Sequence, residues 1–404
     1  MSDMPLQQQN AVGVVPSVWD PYMNRFRFLA TCVSTVADAL SDGAAGALIP
    51  YIEKHYGITY TVVSLIFVGQ AIGFLFAAAF LDTLLSRLGR ARFLALSQTL
   101  FTLAFLPAVT LAPFGVVVVG FAVVGFAGLQ NGTFILGLVY SAYGVGGIAA
   151  PLIATAFVTV AQTVWSRYYL LVMGVSFLSL ILSAWSFRGY EKETQHLSRA
   201  AAPGSNDLSA VRKMMATLKL RVVILGSIFI FAYQGAEISI SGWVISFLIN
   251  TRGGDPSKVG YITAGFWAGI TLGRAVFPYL AQRFGEKRFV YWLTVGSAVF
   301  ELLVWLVPNL IGEAVALAIV GVLLGPIYPC AANVFMKRMS RHEALSGMGA
   351  ISAFGSMGGA VAPFVTGSLA QAYGTFVLHP IAIFLFVVML VCWYFVPNEP
   401  KKDN

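Results

Sequence analysis

Long apolar runs, each interrupted by a few polar residues, dominate the pattern along this chain. A hydrocarbon core of about 30 Å needs about 20 apolar residues in a helix to cross it. On that measure the sequence predicts twelve crossing segments. The first six are 28–50, 61–82, 92–112, 114–131, 133–157 and 168–187. The second six are 221–249, 258–281, 288–308, 312–335, 345–370 and 376–396. Between the two sets lies the one long polar stretch, 188–220, which contains the Gln-His-Leu-Ser-Arg and Ala-Pro-Gly-Ser-Asn runs. It predicts a linker, with a short basic amphipathic piece around Val211–Lys219. The expected domains are 1–190, a linker 191–219, and 220–404.

Composition agrees with a lipid environment. Charged residues make up 10% of the 404, and 58% are hydrophobic. A soluble domain carries about a quarter charged residues, so this chain lacks the polar coat that water requires. The net charge of +8 does not indicate a nucleic-acid partner, because the basic residues sit in short clusters between apolar runs. Their placement instead orients the chain. With both termini cytoplasmic, twenty Lys and Arg fall on the inner side, and only Lys54, Arg167, Arg252 and Lys258 on the outer. Cys32, Cys330 and Cys392 lie within apolar runs, with neither CxxC spacing nor a nearby His. They predict neither a disulfide nor a metal site. Residues 1–25 have no apolar core followed by a cleavage site, so the first crossing helix is expected to act as the insertion signal. No cofactor is expected, and no HExxH, Ser/His/Asp set or phosphate loop suggests an enzyme.

The two sets of segments repeat each other. Ser141-Ala-Tyr-Gly-Val-Gly-Gly-Ile-Ala-Ala-Pro151 in helix five matches Ser352-Ala-Phe-Gly-Ser-Met-Gly-Gly-Ala-Val-Ala-Pro363 in helix eleven. Arg87-Leu-Gly89-Arg90-Ala-Arg92 after helix two matches Arg283-Phe-Gly285-Glu-Lys-Arg288 after helix eight. Gly69 with Gly73, and Gly269 with Gly273, predict matching small-xxx-small packing faces. Two parallel six-helix halves joined by a linker describe an all-α membrane protein of the major facilitator fold, with twelve transmembrane helices in two pseudo-symmetric bundles.

The two Gly-containing turns resemble the signature loop of that superfamily. The resemblance implies gating roles for Asp82, Arg87, Gly89, Arg90, Arg283, Gly285 and Arg288. The acid that usually stands three residues before the Gly is replaced by Ser86 and Gln282, and Asp82 lies one turn earlier. Further motifs resemble the fucose–proton symporter family, in particular its fungal members of the bypass-of-stop-codon type. They are Asp42-Gly-Ala-Ala-Gly-Ala-Leu-Ile-Pro50, Leu129-Gln130-Asn131, Tyr143-Gly-Val-Gly, Tyr233-Gln-Gly-Ala-Glu237 with Gly242-Trp243, and Gly325-Pro-Ile-Tyr-Pro329. The resemblance implies a sugar or similar polar substrate moved with protons. Symporters of this group often carry an acid where Gln130 stands, so coupling would rest on Asp42 and Glu237.

Carboxylates within membrane helices are costly and mark functional sites. Asp42 lies about 21 Å into helix one and Glu237 about 24 Å into helix seven, at similar depth in pseudo-equivalent helices. The glycines beside them, Gly43 and Gly46, Gly235 and Gly242, predict local breaks that present backbone to substrate. Asp38, one turn before Asp42, is a further candidate proton site. Arg274 in helix eight is expected to pair in the inner gate, and Glu301 in helix nine to face away from the transport path. Gln130, Asn131, Tyr143, Tyr233, Gln234, Trp243, Trp267, Tyr328 and Asn333 form the candidate substrate set, because amides beside aromatic rings suit a solute with hydroxyl edges and an apolar face.

Two motifs are decoys. The Asn131-Gly-Thr133 sequon falls on the expected inner side, and Gly253-Gly-Asp255 has no second acid to make a protease. One asymmetry stands out. Pro308 to Pro363 spans 55 residues, whereas Pro113 to Pro151 spans 38, a shortfall of seventeen near Asn131. A deletion, or a mis-spliced gene model, is expected to have removed the inner end of helix four. The sequence thus predicts a monomeric secondary transporter with a small-molecule substrate, protons and the bilayer as partners. An exporter of an amphipathic metabolite or toxin, and a transporter-like sensor or inactive scaffold, are the alternatives.

Overall fold

The computed structural model describes residues 22–128, 138–190 and 217–397. Among them the regular structure is helical. The first half contains α1 (Met23–Tyr56), α2 (Leu65–Leu88), α3 (Arg90–Ala104), α4 (Phe114–Gly128), α5 (Leu138–Thr155) and α6 (Ser166–Ser186). The second contains α7 (Arg221–Asn250), α8 (Pro256–Phe284), α9 (Glu286–Leu306), α10 (Leu310–Leu324), α11 (Arg341–Tyr373) and α12 (Leu378–Phe395). Shorter pieces extend some of these: Tyr60–Val63 leads into α2, a π-helical turn Ala156–Val160 follows α5, and Ile327–Met336 completes α10.

Ten helical stretches among the described residues are long and apolar enough to cross a membrane. The two exceptions have separate causes. Helix α8 is long enough, but Arg274 and four glycines dilute its apolar content. Helix α4 is strongly apolar but has 15 described residues, about 22 Å of helix. The expected inner end of helix four, with Gln130 and Asn131, lies outside the described residues.

Packing follows the repeat. In the first half α1 packs on α5 and α6, α2 on α4, and α3 on α4 and α6. In the second half α7 packs on α11 and α12, α8 on α10, and α9 on α10 and α12. The paired glycines explain two of these contacts. A Cβ on Gly73 would sit 1.7 Å from the Ala122 carbonyl of α4, and one on Gly273 2.1 Å from the Val322 carbonyl of α10. Only glycine lets these backbones approach so closely, and in a bilayer that approach supplies van der Waals contact where no hydrophobic effect drives helices together.

The expected breaks beside Asp42 and Glu237 are absent: α1 and α7 run continuously through both acids. Their glycines serve close packing instead. A Cβ on Gly46 would come within 2.1 Å of the Ser241 carbonyl where α1 crosses α7, and one on Gly235 within 2.9 Å of Ala362 on α11. The halves also meet along α5 with α8 and α2 with α11. At the face away from the N-terminus, Tyr60 N–H donates to Gln371 (3.0 Å) and Asn250 donates to the Tyr60 hydroxyl (2.9 Å).

Several charged groups buried outside the centre are paired. Glu301 of α9 and His379 of α12, both fully buried, meet at 2.7 Å. Arg252 donates to Glu313 at 2.5 Å and to the Trp305 carbonyl at 2.7 Å. Asp255, a decoy in sequence, caps α8: it accepts from the Ser257 N–H and hydroxyl, which hold its carboxyl below the usual range. Removing one member of a buried pair leaves the other desolvated and uncompensated. His379→Ala is therefore expected to destabilise the protein by about 3–5 kcal/mol. Replacing both Glu301 and His379 with Leu is expected to cost less than the single change. Thermal unfolding of the purified variants in detergent checks both expectations.

Candidate functional site

A cavity of about 380 Å³ lies between the halves, lined from α1, α2, α3, α4 and α5 on one side and α7, α8 and α11 on the other. Three carboxylates and one guanidinium face it: Asp38, Asp42, Glu237 and Arg274. Helical spacing puts Asp38 and Asp42 on one stripe of α1, four residues apart. The crossing of α1 and α7 at Gly46 brings the second half's acid to the same cavity.

Asp42 accepts two hydrogen bonds, one for each oxygen. Gln70 Nε2 of α2 donates to Oδ1 at 2.9 Å, and the Tyr143 hydroxyl of α5 donates to Oδ2 at 2.9 Å. Glu237 is paired differently. Arg274 Nη2 reaches its Oε1 at 3.3 Å and the Tyr233 hydroxyl at 3.5 Å, while Arg274 Nε donates to the Gly325 carbonyl at 3.4 Å. The first-half acid is thus held by neutral donors and the second-half acid by a cation. The Tyr143 ring also lies edge-on to Trp267 of α8, 6.0 Å between centroids, so the group that binds Asp42 touches the opposite half. A Cβ on Gly147 would come within 3.0 Å of the same Trp267 ring.

Apolar walls complete the cavity. Phe67 and Phe74 of α2, Phe101 of α3 and Phe121 of α4 line it, together with Gln234, Ser41 and Ser356. Amides and hydroxyls among aromatic rings provide hydrogen bonds to a polar edge and contact to an apolar face.

The candidate residues separate under this geometry. Asp38, Asp42, Glu237, Tyr143 and Gln234 reach the cavity, and so does Arg274, which sequence spacing put near the inner gate. Tyr233 stands behind Arg274, and Tyr328 bonds Ser352 at 3.1 Å. Trp243 and Trp267 are buried in helix contacts; Trp243 donates to the Pro363 carbonyl at 2.9 Å, where α7 packs on α11. Asn333 is not at the cavity. It lies in the last turns of helix ten and donates to Glu286 at the start of α9. Helical periodicity alone did not separate the cavity stripe from the packing stripe. Gln130 and Asn131 lie outside the described residues, as does the side chain of Asp82. Of the gating set, Gly89 and Gly285 both take a left-handed φ, 75° and 87°, at the turns where Arg87 and Arg283 end their helices and Arg90 and Arg288 begin the next. Arg283 stacks over the Tyr279 ring at 5.7 Å.

Gln70, which lines the cavity and bonds Asp42, is a candidate site residue that sequence reading missed. Its signal was present: it is an amide in an apolar span, next to Gly69, one of the glycines that dock α2 on α4.

Comparisons with known proteins agree with the fold. The family model described as Major Facilitator Superfamily matches residues 31–253 and 227–404. The chain is similar to the bypass of stop codon protein 6 of Saccharomyces cerevisiae, 25% identical over 417 aligned positions, covering 92% of this chain and 80% of that one. Because 417 positions exceed the chain's own 404 residues, the yeast protein carries segments that this chain lacks. The fold is similar to a crystal structure of the nucleoside transporter NupG, with TM-score 0.69, 14% identity and coverage of 91% and 98% of the two chains. It is also similar to a crystal structure of the E. coli fucose:proton symporter FucP, with TM-score 0.63, 14% identity and coverage of 92% and 98%. With its family match, its twelve-helix architecture and its central cavity, the chain belongs to the Major Facilitator Superfamily, a family of membrane transporters.

Proposed function

We propose that this transporter moves a small polar solute of the sugar type by alternating access, with protons carried by Asp42 and Glu237. The observation that carries the reading is the charge of the cavity: three carboxylates face one guanidinium. Fully ionised, that lining has an excess of two negative charges in a desolvated space. The excess disfavours an anionic solute and favours proton uptake or a neutral, hydroxyl-bearing one. A cavity of about 380 Å³ falls within the range of small-ligand sites. The relatives named fucose:proton symporter and nucleoside transporter support a solute bearing a sugar ring.

The two acids divide the work in this reading. Protonating Glu237 removes the partner of Arg274 and frees the guanidinium to meet a solute hydroxyl. Protonating Asp42 turns one of its oxygens into a donor, so the bond at that oxygen is lost if it comes from Gln70 and reverses direction if it comes from the Tyr143 hydroxyl. Tyr143 rests on Trp267 of the opposite half, so the rearrangement reaches the α5–α8 contact. Asp38, one turn away, is a second stop for the same proton. The driving force is adequate: one pH unit supplies about 1.36 kcal/mol per proton, and 100 mV adds about 2.3 kcal/mol.

The two units of this cycle are the domains 1–190 and 220–404, with 191–219 between them. Both termini are cytoplasmic, and the Tyr60 contacts close the outer side. The protein works as a monomer in the plasma membrane or another cellular membrane.

Proteoliposome uptake against a panel of hexoses, nucleosides and lipophilic drugs tests the function. An inward proton gradient is expected to raise accumulation of one polar solute. Glu237→Gln and Asp42→Asn are each expected to lower gradient-driven accumulation at least tenfold while solute counterflow persists, and sugar flux indifferent to the gradient would contradict symport. Sidedness is tested separately. Cysteines placed at the exposed positions Lys54 and Arg90 are expected to react with a membrane-impermeant maleimide from outside and inside respectively.

A further inference from the structure

A second concavity, of about 910 Å³, lies at the opposite end of the second half from the Tyr60 contacts. It forms where α8 turns into α9 through Gly285 and where helix ten and α12 end. Lys287, Arg288, Lys337 and Arg338 line it, and among the described residues Glu286 is the one carboxylate of the lining. The lining therefore has a formal charge of +3.

Three of these cations are held in fixed positions. Lys287 Nζ donates to the Val396 carbonyl at 2.6 Å, and Arg338 donates to the carbonyls of Pro397 at 2.5 Å and Val334 at 2.6 Å. Lys337 pairs with Glu286 at 2.9 Å, and Asn333 donates to the other oxygen of that carboxylate. Lys287 and Arg338 are thus preorganised against backbone carbonyls, while Arg288 and Lys337 stand exposed at the concavity.

Its surroundings are apolar. Phe284 and Tyr394 at the lining are 66% and 71% exposed, and Val387 and Val391 continue an exposed apolar face along α12. Aromatic residues at helix ends mark the membrane–water interface. A ligand that matches both parts has a phosphate anion at one end and hydrocarbon at the other. We propose that this concavity binds the phosphate headgroup of an anionic membrane lipid, with the acyl chains along the outer face of α12. The proposal uses the sidedness given above, which sets this end in the leaflet rich in anionic lipid. It is independent of the solute carried in the central cavity.

Native mass spectrometry of the full chain in detergent, offered phosphatidylinositol 4-phosphate or phosphatidylcholine, tests it. The wild type is expected to retain the anionic lipid at least tenfold better. The double variant R288Q/K337Q is expected to reduce that preference about tenfold or more, since each interfacial cation contributes several-fold to anionic lipid affinity. R283Q removes a neighbouring charge that does not line the concavity and is expected to leave the preference within about twofold. A second arm adds millimolar inorganic phosphate: continued lipid retention supports the lipid as ligand, and full displacement overturns the lipid in favour of a soluble phosphate anion. Equal retention of the two lipids by the wild type, or a preference untouched by R288Q/K337Q, also overturns the proposal.

Discussion

A charge inside a membrane must find a partner or water, and this constraint organises the structure. Glu237 meets Arg274, Asp42 meets Gln70 and Tyr143, Glu301 meets His379, and Glu313 meets Arg252. Each pairing joins different helices, so satisfying the acids also fixes how the helices stand. The peripheral pairs lie in one half and tie α9 to α12 and the end of α7 to α10. The central groups are distinct because they face a cavity shared by both halves. There the Tyr143 that binds Asp42 also touches Trp267 of the opposite half.

The second constraint is close approach. Without a hydrophobic drive between helices in lipid, contact depends on small residues at the crossings. Gly73 on α4, Gly273 on α10 and Gly46 against Ser241 supply it. The same closeness brings α1 and α7 together one turn C-terminal to their acids and makes one cavity from two half-sites. Glycines beside the acids therefore place the carboxylates through helix packing while the helices stay intact.

Much of this was legible in the chain. The spans, the repeat and the equivalence of the Gly89 and Gly285 turns all follow from periodicity and spacing, which depend on local sequence. Asp42 and Glu237 were legible because an acid in an apolar span is rare. Partners were not. Gln70 and His379 became visible only when the packing angle of each helix was fixed, since a neutral amide or imidazole in an apolar run has no distinctive pattern. Asn333 shows the converse: it is a polar residue on a cavity-forming segment, yet it turns to Glu286 because the second piece of helix ten ends beside α9. Arg274 likewise lay farther into the bundle than distance along α8 suggested, because Glu237 draws it to the centre.

The central claim is that solute and proton move together through the cavity shared by Asp42 and Glu237. The most direct measurement is the pH of a weakly buffered suspension of proteoliposomes, without an imposed gradient, when the transported solute is added outside. Coupled movement predicts that the external medium becomes more alkaline as solute enters, and that a protonophore abolishes the signal. Solute entry with no change in external pH would contradict the account.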